Sequence, residues 1–398
     1  MSAVATAEGR LRDAEWLSRS ATQAIFAALD GATGRTRAVG GVVRDTLLDR
    51  HRGDADIDMA TELLPTEVTK RAQAAGIAVY PTGIDHGTVT LRLGDTMAEV
   101  TTLRRDVETD GRRAQVAFGS DWVEDAKRRD FTLNALYADA TGTLFDPLQG
   151  LDDCLAGRVR FIGTPAQRIA EDGLRVFRFF RFSASHGGEQ FDPAGEAACA
   201  AAVGKLGHLS AERVGSEMTR MLSLRQVAAT LRAMARIGLE PMGDATLQAL
   251  KAYERQAGQP RFHGRLAVIL DHQAPEALQQ RWRLANVDIE AALAIRSASA
   301  LLRAFKVNEA VYRFGPYLEM AIDLAAVEAG WGEAGKSAMQ EQLDAIAPPR
   351  FPIGGKDLLA LGMVPGPELG RTITRLEREW IDSGFTLDRS RLLELARV

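Results

Sequence analysis

Three aspartates stand on alternate positions, Asp54, Asp56 and Asp58 in "GDADIDMAT", about a dozen residues after the double glycine and arginine of "AVGGVVRD". Alternate residues of a strand point the same way, so these carboxylates can share one face, and a pair of them suits hard divalent cations bound through oxygen. Two magnesium ions about 4 Å apart would activate an attacking hydroxyl and steady the leaving phosphate oxygen of an in-line displacement. An isolated D-x-D is more often an acidic solvated loop. Gly40 and Gly41 count against that outcome here, because glycine lets backbone N–H groups approach phosphate closely, as a helix N-terminus also does.

Downstream, "AKRRDFTLNALYAD" sets Lys127, Arg128 and Arg129 beside Asp130, with Asn134 four residues later. On one helix Asp130 and Asn134 share a face with a cation next to them, which suits a triphosphate and a sugar hydroxyl. Guanidinium forks grip phosphate oxygens, and an amide both donates and accepts at a ribose. The commoner use of such a run is a charged helix start. Arg158 to Phe182 then carries six arginines against Glu171 and Asp172, a local charge of +4 in a chain whose net charge is −4. Phosphate or nucleic acid is the partner that such a reversed face attracts. Continued as one helix, the segment puts Arg168, Asp172, Arg175 and Arg178 on one arc with Phe179 and Phe182, and Ile169, Val176, Phe177 and Phe180 on the opposite, core-seeking side. Asp172 and Arg175, at i and i+3, would form a helix salt bridge worth roughly a few tenths of a kcal/mol.

The elements that position these groups follow from periodicity. Helical spacing runs from Leu11 to Leu29 and stops at Asp30-Gly31. A Gly-Gly turn leads into a short helix through Val43, Leu47 and Leu48, and "DIDMA" alternates as a strand. "GIAVYPT", "GTVTLRL" and "MAEVTTL" read as strands joined by turns, so the first third is a small α+β unit on antiparallel strands. After Asp130 the pattern is helical apart from the stretch around "TLFDPLQG", and "APPRFPIGG" is the clearest late linker. The 398 residues exceed one compact core, and 46% hydrophobic with 26% charged is an ordinary globular composition. A net charge of −4 speaks against a chain coated in positive charge for nonspecific nucleic-acid binding, so any basic cleft is local. The chain has no apolar run of about 18 residues. Its N-terminus lacks a signal-peptide pattern, so a cytoplasmic protein without membrane contact is expected. Cys154 and Cys199 offer neither metal spacing nor a disulfide framework.

In order, "GGVVRD", "DIDMAT", "TGIDHGTVTL", "RRDFTLNALYAD", "DPLQGLDD", "EDGLRVFRFFRF" and "ERVGSEMTRML" resemble the motifs of the class II nucleotidyltransferases, which include bacterial tRNA CCA-adding enzymes and poly(A) polymerases. The likeness spans Ala38 to Leu222, with weaker elements, "GGKDLLALGMVPGPELG" and "EREWIDSGF", beyond it. The resemblance implies an α+β fold with a small antiparallel-sheet, DNA polymerase beta-like catalytic head over residues 1–138. An all-helical neck with the nucleotide-selecting helix (139–225), a body (226–346) and an RNA-binding tail (347–398) would follow. It also implies Asp56 and Asp58 as the catalytic, metal-binding carboxylates, with Asp54 an extra acid and Mg2+ as the two-metal cofactor. Gly40, Gly41 and Arg44 would hold the triphosphate, and Arg129, Asp130 and Asn134 phosphate and ribose. Glu171, Asp172 and Arg175 match the nucleotide-selecting E-D-x-x-R motif, Arg178 joins the nucleotide-binding set, and Arg213 and Glu217 would brace the neck. The implied activity is template-independent addition of C, C and A to the 3′ end of tRNA from CTP and ATP, with no role for DNA.

The base-selecting assignment has a physical basis. Cytosine and adenine each present an exocyclic amine donor beside a ring-nitrogen acceptor, whereas guanine and uracil present a carbonyl beside an N–H. A carboxylate with a guanidinium matches the first pattern and is repelled by the second, and a wrong base leaves buried polar groups unpaired. Within the family, "YPTGIDHGTVTL" resembles the CCA-adding group, and the "GRRFR"-type segment of bacterial poly(A) polymerases is missing. The six histidines include no His-Asp dipeptide, so no appended HD-type hydrolase is expected. Leu103 to Asp121, polar and nearly balanced in charge, reads as a mobile loop beside the site and favours whole-CCA addition, with A-only addition and poly(A) synthesis left open. A noncatalytic RNA-binding protein on the same fold would be marked by loss of a metal-binding aspartate, and both are kept.

Overall fold

The computed structural model describes residues 3–397 other than 52, 54–55, 85–86 and 111–112, and the backbone alone at 82, 105–110 and 113–117. The helical pattern read over residues 11–29 is cut into α1 (Ala3–Arg12), α2 (Glu15–Ser18) and α3 (Ser20–Ala28), because the backbone leaves helical values at Ala14 (ψ 125°) and Arg19 (ψ 133°). The breaks let Leu11, Trp16, Ile25 and Leu29 all be buried.

The strands are β1 (Thr36–Val39), β2 (Ile57–Thr61), β3 (Ala78–Gly83), β4 (Thr88–Leu93), β5 (Thr96–Thr102), β6 (Arg104–Asp110), β7 (Arg113–Phe118), β8 (Tyr137–Ala138) and β9 (Leu144–Phe145). Seven of them form one sheet in the order β3-β4-β5-β2-β1-β8-β9. The expected antiparallel pairing holds except at β2 and β5, which run parallel with Asp58 opposite Glu99. The reason is topological. The chain leaves β2 through α5 (Pro65–Ala74) and the β3–β4 hairpin before β5 returns beside it. The polar segment expected as a loop after Leu103 is instead a two-stranded antiparallel hairpin, β6–β7. Val39, Ala60, Leu103, Trp122, Ala126, Ala135, Tyr137 and Ile162 form one apolar cluster of the sheet layer.

The helices that bear on the site are α4 (Gly41–Leu47), α6 (Trp122–Lys127), α8 (Pro165–Glu171) and α9 (Arg175–His186), with α7 (Leu151–Leu155) and α10 (Pro193–Ala202) packed among them. Asp121 caps α6, its Oδ1 accepting from Val123 N at 2.8 Å, which satisfies an otherwise orphaned donor. All of these belong to the first of two compact units, residues 1–210 with 236–240. The second unit, 211–235 with 241–398, is described helically throughout, beginning with α11 (Ala211–Leu222), α12 (Ala228–Arg236), α13 (Asp244–Gln256) and α14 (Phe262–Ile269). Near its end Trp380 is enclosed by Ile353, Leu358, Leu376, Ile381 and Leu392. Among the described residues no helix is long and apolar enough to cross a membrane.

Candidate active site

Gly40 joins β1 to α4 with φ +70° and ψ −123°, a conformation closed to residues with a Cβ, and Gly41 opens the helix. A Cβ on Gly40 would stand 3.9 Å from the Asn134 carbonyl oxygen and 4.0 Å from Arg129 Nη1, so the turn lies directly against the cationic segment. Arg44 follows on α4. Its Nη1 donates to Asn134 Oδ1 at 2.6 Å, its Nε and Nη2 donate to the Asp45 carboxylate at 2.8 and 3.0 Å, and its guanidinium lies 5.2 Å over the Phe182 ring. Asn134 passes the chain on by donating to Asp130 Oδ1 at 3.0 Å, and Asp130 Oδ2 accepts from Arg178 Nε at 2.7 Å. Burial works against the Asp130 charge, but Arg178, the Asn134 amide and the Phe131 N–H hold its carboxyl below the usual carboxylate range.

Asp130 and Asn134 do not share a helix. α6 stops at Lys127, Phe131 pairs with Phe161 in an isolated bridge with the rings 4.9 Å apart, and Thr132–Asn134 is a 3-10 turn. Burial of the Phe131 ring outweighs continuation of a short helix, and the tighter turn still brings the two side chains into contact.

Asp56 stands just before β2 and Asp58 is its second residue, so only the latter is held by the sheet; Asp54 lies outside the described residues. Asp58 reaches solvent on one side. Its carboxyl is nevertheless pushed up to about 6, first by the protein packed around it, then by Glu99, with Asp56 adding to the push and Arg129 and Arg44 opposing it. Crowded carboxylates with oxygen donors alone are the chemistry of a hard divalent cation, which relieves their repulsion. Among the described residues no group of three or more His, Cys, Asp and Glu side chains is disposed to hold a metal. Asp56 and Asp58, both exposed and two residues apart, offer oxygen ligands of the kind a hard divalent cation takes.

The third constellation is two helices, not one. α8 ends at Glu171, Asp172 is extended (φ −149°, ψ 105°), and α9 starts at Arg175. A Cβ on Gly173 would meet Leu206 Cδ2 at 2.8 Å, so a larger residue at the break would require that leucine tip to turn aside. The ion pair expected between Asp172 and Arg175 is formed instead by Glu171, whose Oε2 accepts from Arg175 Nη1 at 2.6 Å and also from Arg168. Asp172 Oδ1 accepts from Leu174 N at 3.1 Å. Arg175 also donates to Arg168 O at 2.8 Å and Arg128 O at 3.2 Å, while Arg168 donates to Arg129 O at 2.7 Å, so the turn between α8 and α9 is stapled to the backbone that follows α6. The two phenylalanines placed on the arginine arc of α9 are buried too: Phe179 and Phe182 pack on Phe131, and Phe179 stacks on Phe161 at 5.4 Å.

Sequence reading missed Glu99, Asp125, Tyr137, the partners of Arg168 and the Asp45–His186 pair, in which His186 Nε2 lies 3.1 Å from Asp45 Oδ1. Asp125 and Arg168 had a signal, each standing three or four residues from its partners Arg128, Arg129 and Glu171. Glu99 had none, since only the parallel pairing sets it beside Asp58.

An acidic strand set beside a glycine-turned helix and a cationic turn makes this unit the head of a nucleotidyltransferase. Residues 36–160 match the family described as the Poly A polymerase head domain. The chain is 32% identical to "CCA tRNA nucleotidyltransferase 1, mitochondrial" of Danio rerio over 374 residues, 90% of this chain and 86% of that protein. It is 31% identical to the "CCA-adding enzyme" of Leuconostoc citreum over 397 residues, 94% of this chain and 95% of that one. The crystal structure of Bacillus stearothermophilus CCA-adding enzyme in complex with CTP superposes with a TM-score of 0.77 at 26% identity, covering 95% of this chain and 97% of that one. The chain belongs to the CCA tRNA nucleotidyltransferase family. Dependence on a divalent metal comes with that membership.

Proposed function

We propose that this nucleotidyltransferase adds C, C and A in turn to the 3′ end of tRNA, taking CTP and ATP as substrates, and that Asp56 and Asp58 carry the chemistry. The supporting observation is that Asp58, set opposite Glu99 on the sheet, lies within the electrostatic reach of Arg129 and Arg44, and that Arg129 in turn stands against the Gly40 turn. The terminal ribose hydroxyl attacks the α-phosphorus, the new O–P bond forms, and the bond to the β-phosphate bridge breaks to release pyrophosphate. Asp56 and Asp58 would hold Mg2+, which would lower the pKa of the attacking hydroxyl so that its proton leaves to water, and would neutralise charge at the leaving phosphate. Glu99, opposite Asp58 on the neighbouring strand, is a third acid beside this pair. Gly40, Gly41, Arg44 and Arg129 serve the triphosphate, Asp130 and Asn134 the ribose end, and Arg178 holds Asp130 ionised. Asp172 and Arg175 read the Watson–Crick edge, with Glu171 holding the guanidinium in place.

The same reading divides the chain into head (1–138), neck (139–225), body (226–346) and RNA-binding tail (347–398), and places it in the cytoplasm, where the two buried free thiols Cys154 and Cys199 stay reduced. The test supplies tRNA lacking its terminal CCA with CTP, ATP or both, and resolves products to one nucleotide. Two additions with CTP alone and three with both are expected. No addition until the CC is already present would make the enzyme A-adding, and long A tails would make it a poly(A) polymerase.

A further inference from the structure

We infer that Asp125, together with the Tyr137 hydroxyl, is a positioning residue that aims the Arg129 guanidinium at the substrate triphosphate; the inference rests on the role given to Arg129 above. Asp125 is 1% exposed, on the buried side of α6. Its Oδ2 accepts from Arg129 Nε at 3.3 Å, Arg129 Nη2 at 3.1 Å and the Tyr137 hydroxyl at 3.0 Å, while Oδ1 accepts from Arg128 Nε at 2.9 Å. Arg129 Nε also donates to the Tyr137 oxygen at 3.1 Å, with the guanidinium 5.3 Å over that ring. The Nε–Nη2 edge of the guanidinium is thus taken by one carboxylate and one phenol. The remaining nitrogen, Nη1, is the one turned to the Gly40 backbone, 4.0 Å from where a Cβ would sit. A planar group fixed along one edge has its opposite corner aimed, and a fixed fork loses less rotamer freedom when it grips phosphate.

The alternative is a buried ion pair that merely stabilises the end of α6. Two features go beyond that. The carboxylate is shared by two consecutive arginines and a tyrosine from β8, so the pair crosses from helix to sheet at the point where the glycine turn approaches. Asparagine in its place would keep the shape but present an N–H₂ to groups that are themselves donors, so it disturbs aim more than packing.

The experiment measures the affinity of the full chain for CTP and for CMP in wild type, Asp125→Asn, Tyr137→Phe and Arg129→Ala. Asp125→Asn should weaken CTP about tenfold, the scale of one charge-assisted hydrogen bond, and leave CMP within about twofold; Tyr137→Phe, which keeps the packed ring, should show a smaller loss with the same selectivity for CTP. Equal losses for CTP and CMP, or no loss in either of the first two variants while Arg129→Ala still narrows the CTP-to-CMP gap, would overturn the positioning role. A gap left intact by Arg129→Ala would instead remove the phosphate reading of Arg129 itself.

Discussion

Both compact units bury arginine against carboxylate, and they do it differently. In the second, Arg265 of α14 is 0% exposed and its donors are spent inward: Nη1 on Leu222 O at 2.7 Å, Nη2 on Arg225 O at 2.9 Å, and Nε and Nη2 on Glu254 at 3.0 and 2.8 Å. Glu254 in turn accepts from Val227 N and Ala228 N at the start of α12, so one closed network pins three chain segments. In the first unit Arg44, Arg129 and Arg178 also rest on an aromatic ring and a buried polar partner, yet their side chains stay 9%, 21% and 30% exposed. A buried arginine with every donor returned to the protein is a staple. One held by part of its N–H set while its side chain stays partly exposed keeps donors for a ligand.

The largest test of that contrast removes an acid on the open side. Asp58→Ala should lower nucleotide addition on the order of 10³-fold or more, because several kcal/mol of transition-state stabilisation goes with it at about 1.4 kcal/mol per factor of ten. Its melting temperature should not fall, since the substitution relieves the crowding with Glu99. Single-turnover rates and a thermal melt check both halves, and a variant that loses stability while keeping its rate would class Asp58 with the staples. Next comes Glu254→Gln on the closed side, which leaves Arg265 buried without its countercharge. It should cost about 3–5 kcal/mol, read as a lower urea midpoint, while KM for CTP at low temperature is unchanged. A raised KM with full stability would erase the distinction drawn here.

How much of this was legible beforehand depends on whether a contact is local in the chain. β2, β3, β4 and β5 could be read because each is a short alternating run bounded by turn residues, and α4 because Gly40 precedes an apolar helical spacing. The E-D-x-x-R segment was found but drawn as one helix. Apolar residues keep helical phase on both sides of Asp172, so nothing in the local pattern marks the extended backbone that parts the two helices there. The parallel β2–β5 pair, and with it Glu99, depends on a crossover of some thirty-five residues that no local pattern encodes. Likewise Asp45 looks like one more charge on α4 until His186, at the far end of α9, is seen against it.

Asp45 also supplies the smallest of the expected effects, since it touches the open site through Arg44 but is itself closed by protein. Burial pushes its carboxyl up, and the hydrogen bonds from His186 and Arg44 more than offset this, holding it at about 2 rather than 3.8. His186 is held below its usual value, by burial first, and so is neutral near pH 7; Arg44 and Arg50 face the same pair. A carboxyl depressed in the folded state stabilises above its unfolded value and loses that stabilisation as pH falls through 3.8 toward 2. The drop is worth about 2 kcal/mol at most, at 1.36 kcal/mol per tenfold change in proton affinity. Asp45→Asn should therefore lower unfolding free energy by about 1–2 kcal/mol at pH 7, and its gap to wild type should shrink to about half by pH 3. Asp45 itself raises His186 against burial, so the His186 contribution, lost below about 6.5 with the same sign, differs between the two proteins and the fall of the gap is read between pH 5 and pH 3. Urea titrations of the two at pH 7, 5 and 3 measure the gap. A gap that stays constant to pH 3 would mean that Asp45 acts by shape and not by charge, and that its pairing with Arg44 and His186 belongs with neither the staples nor the site.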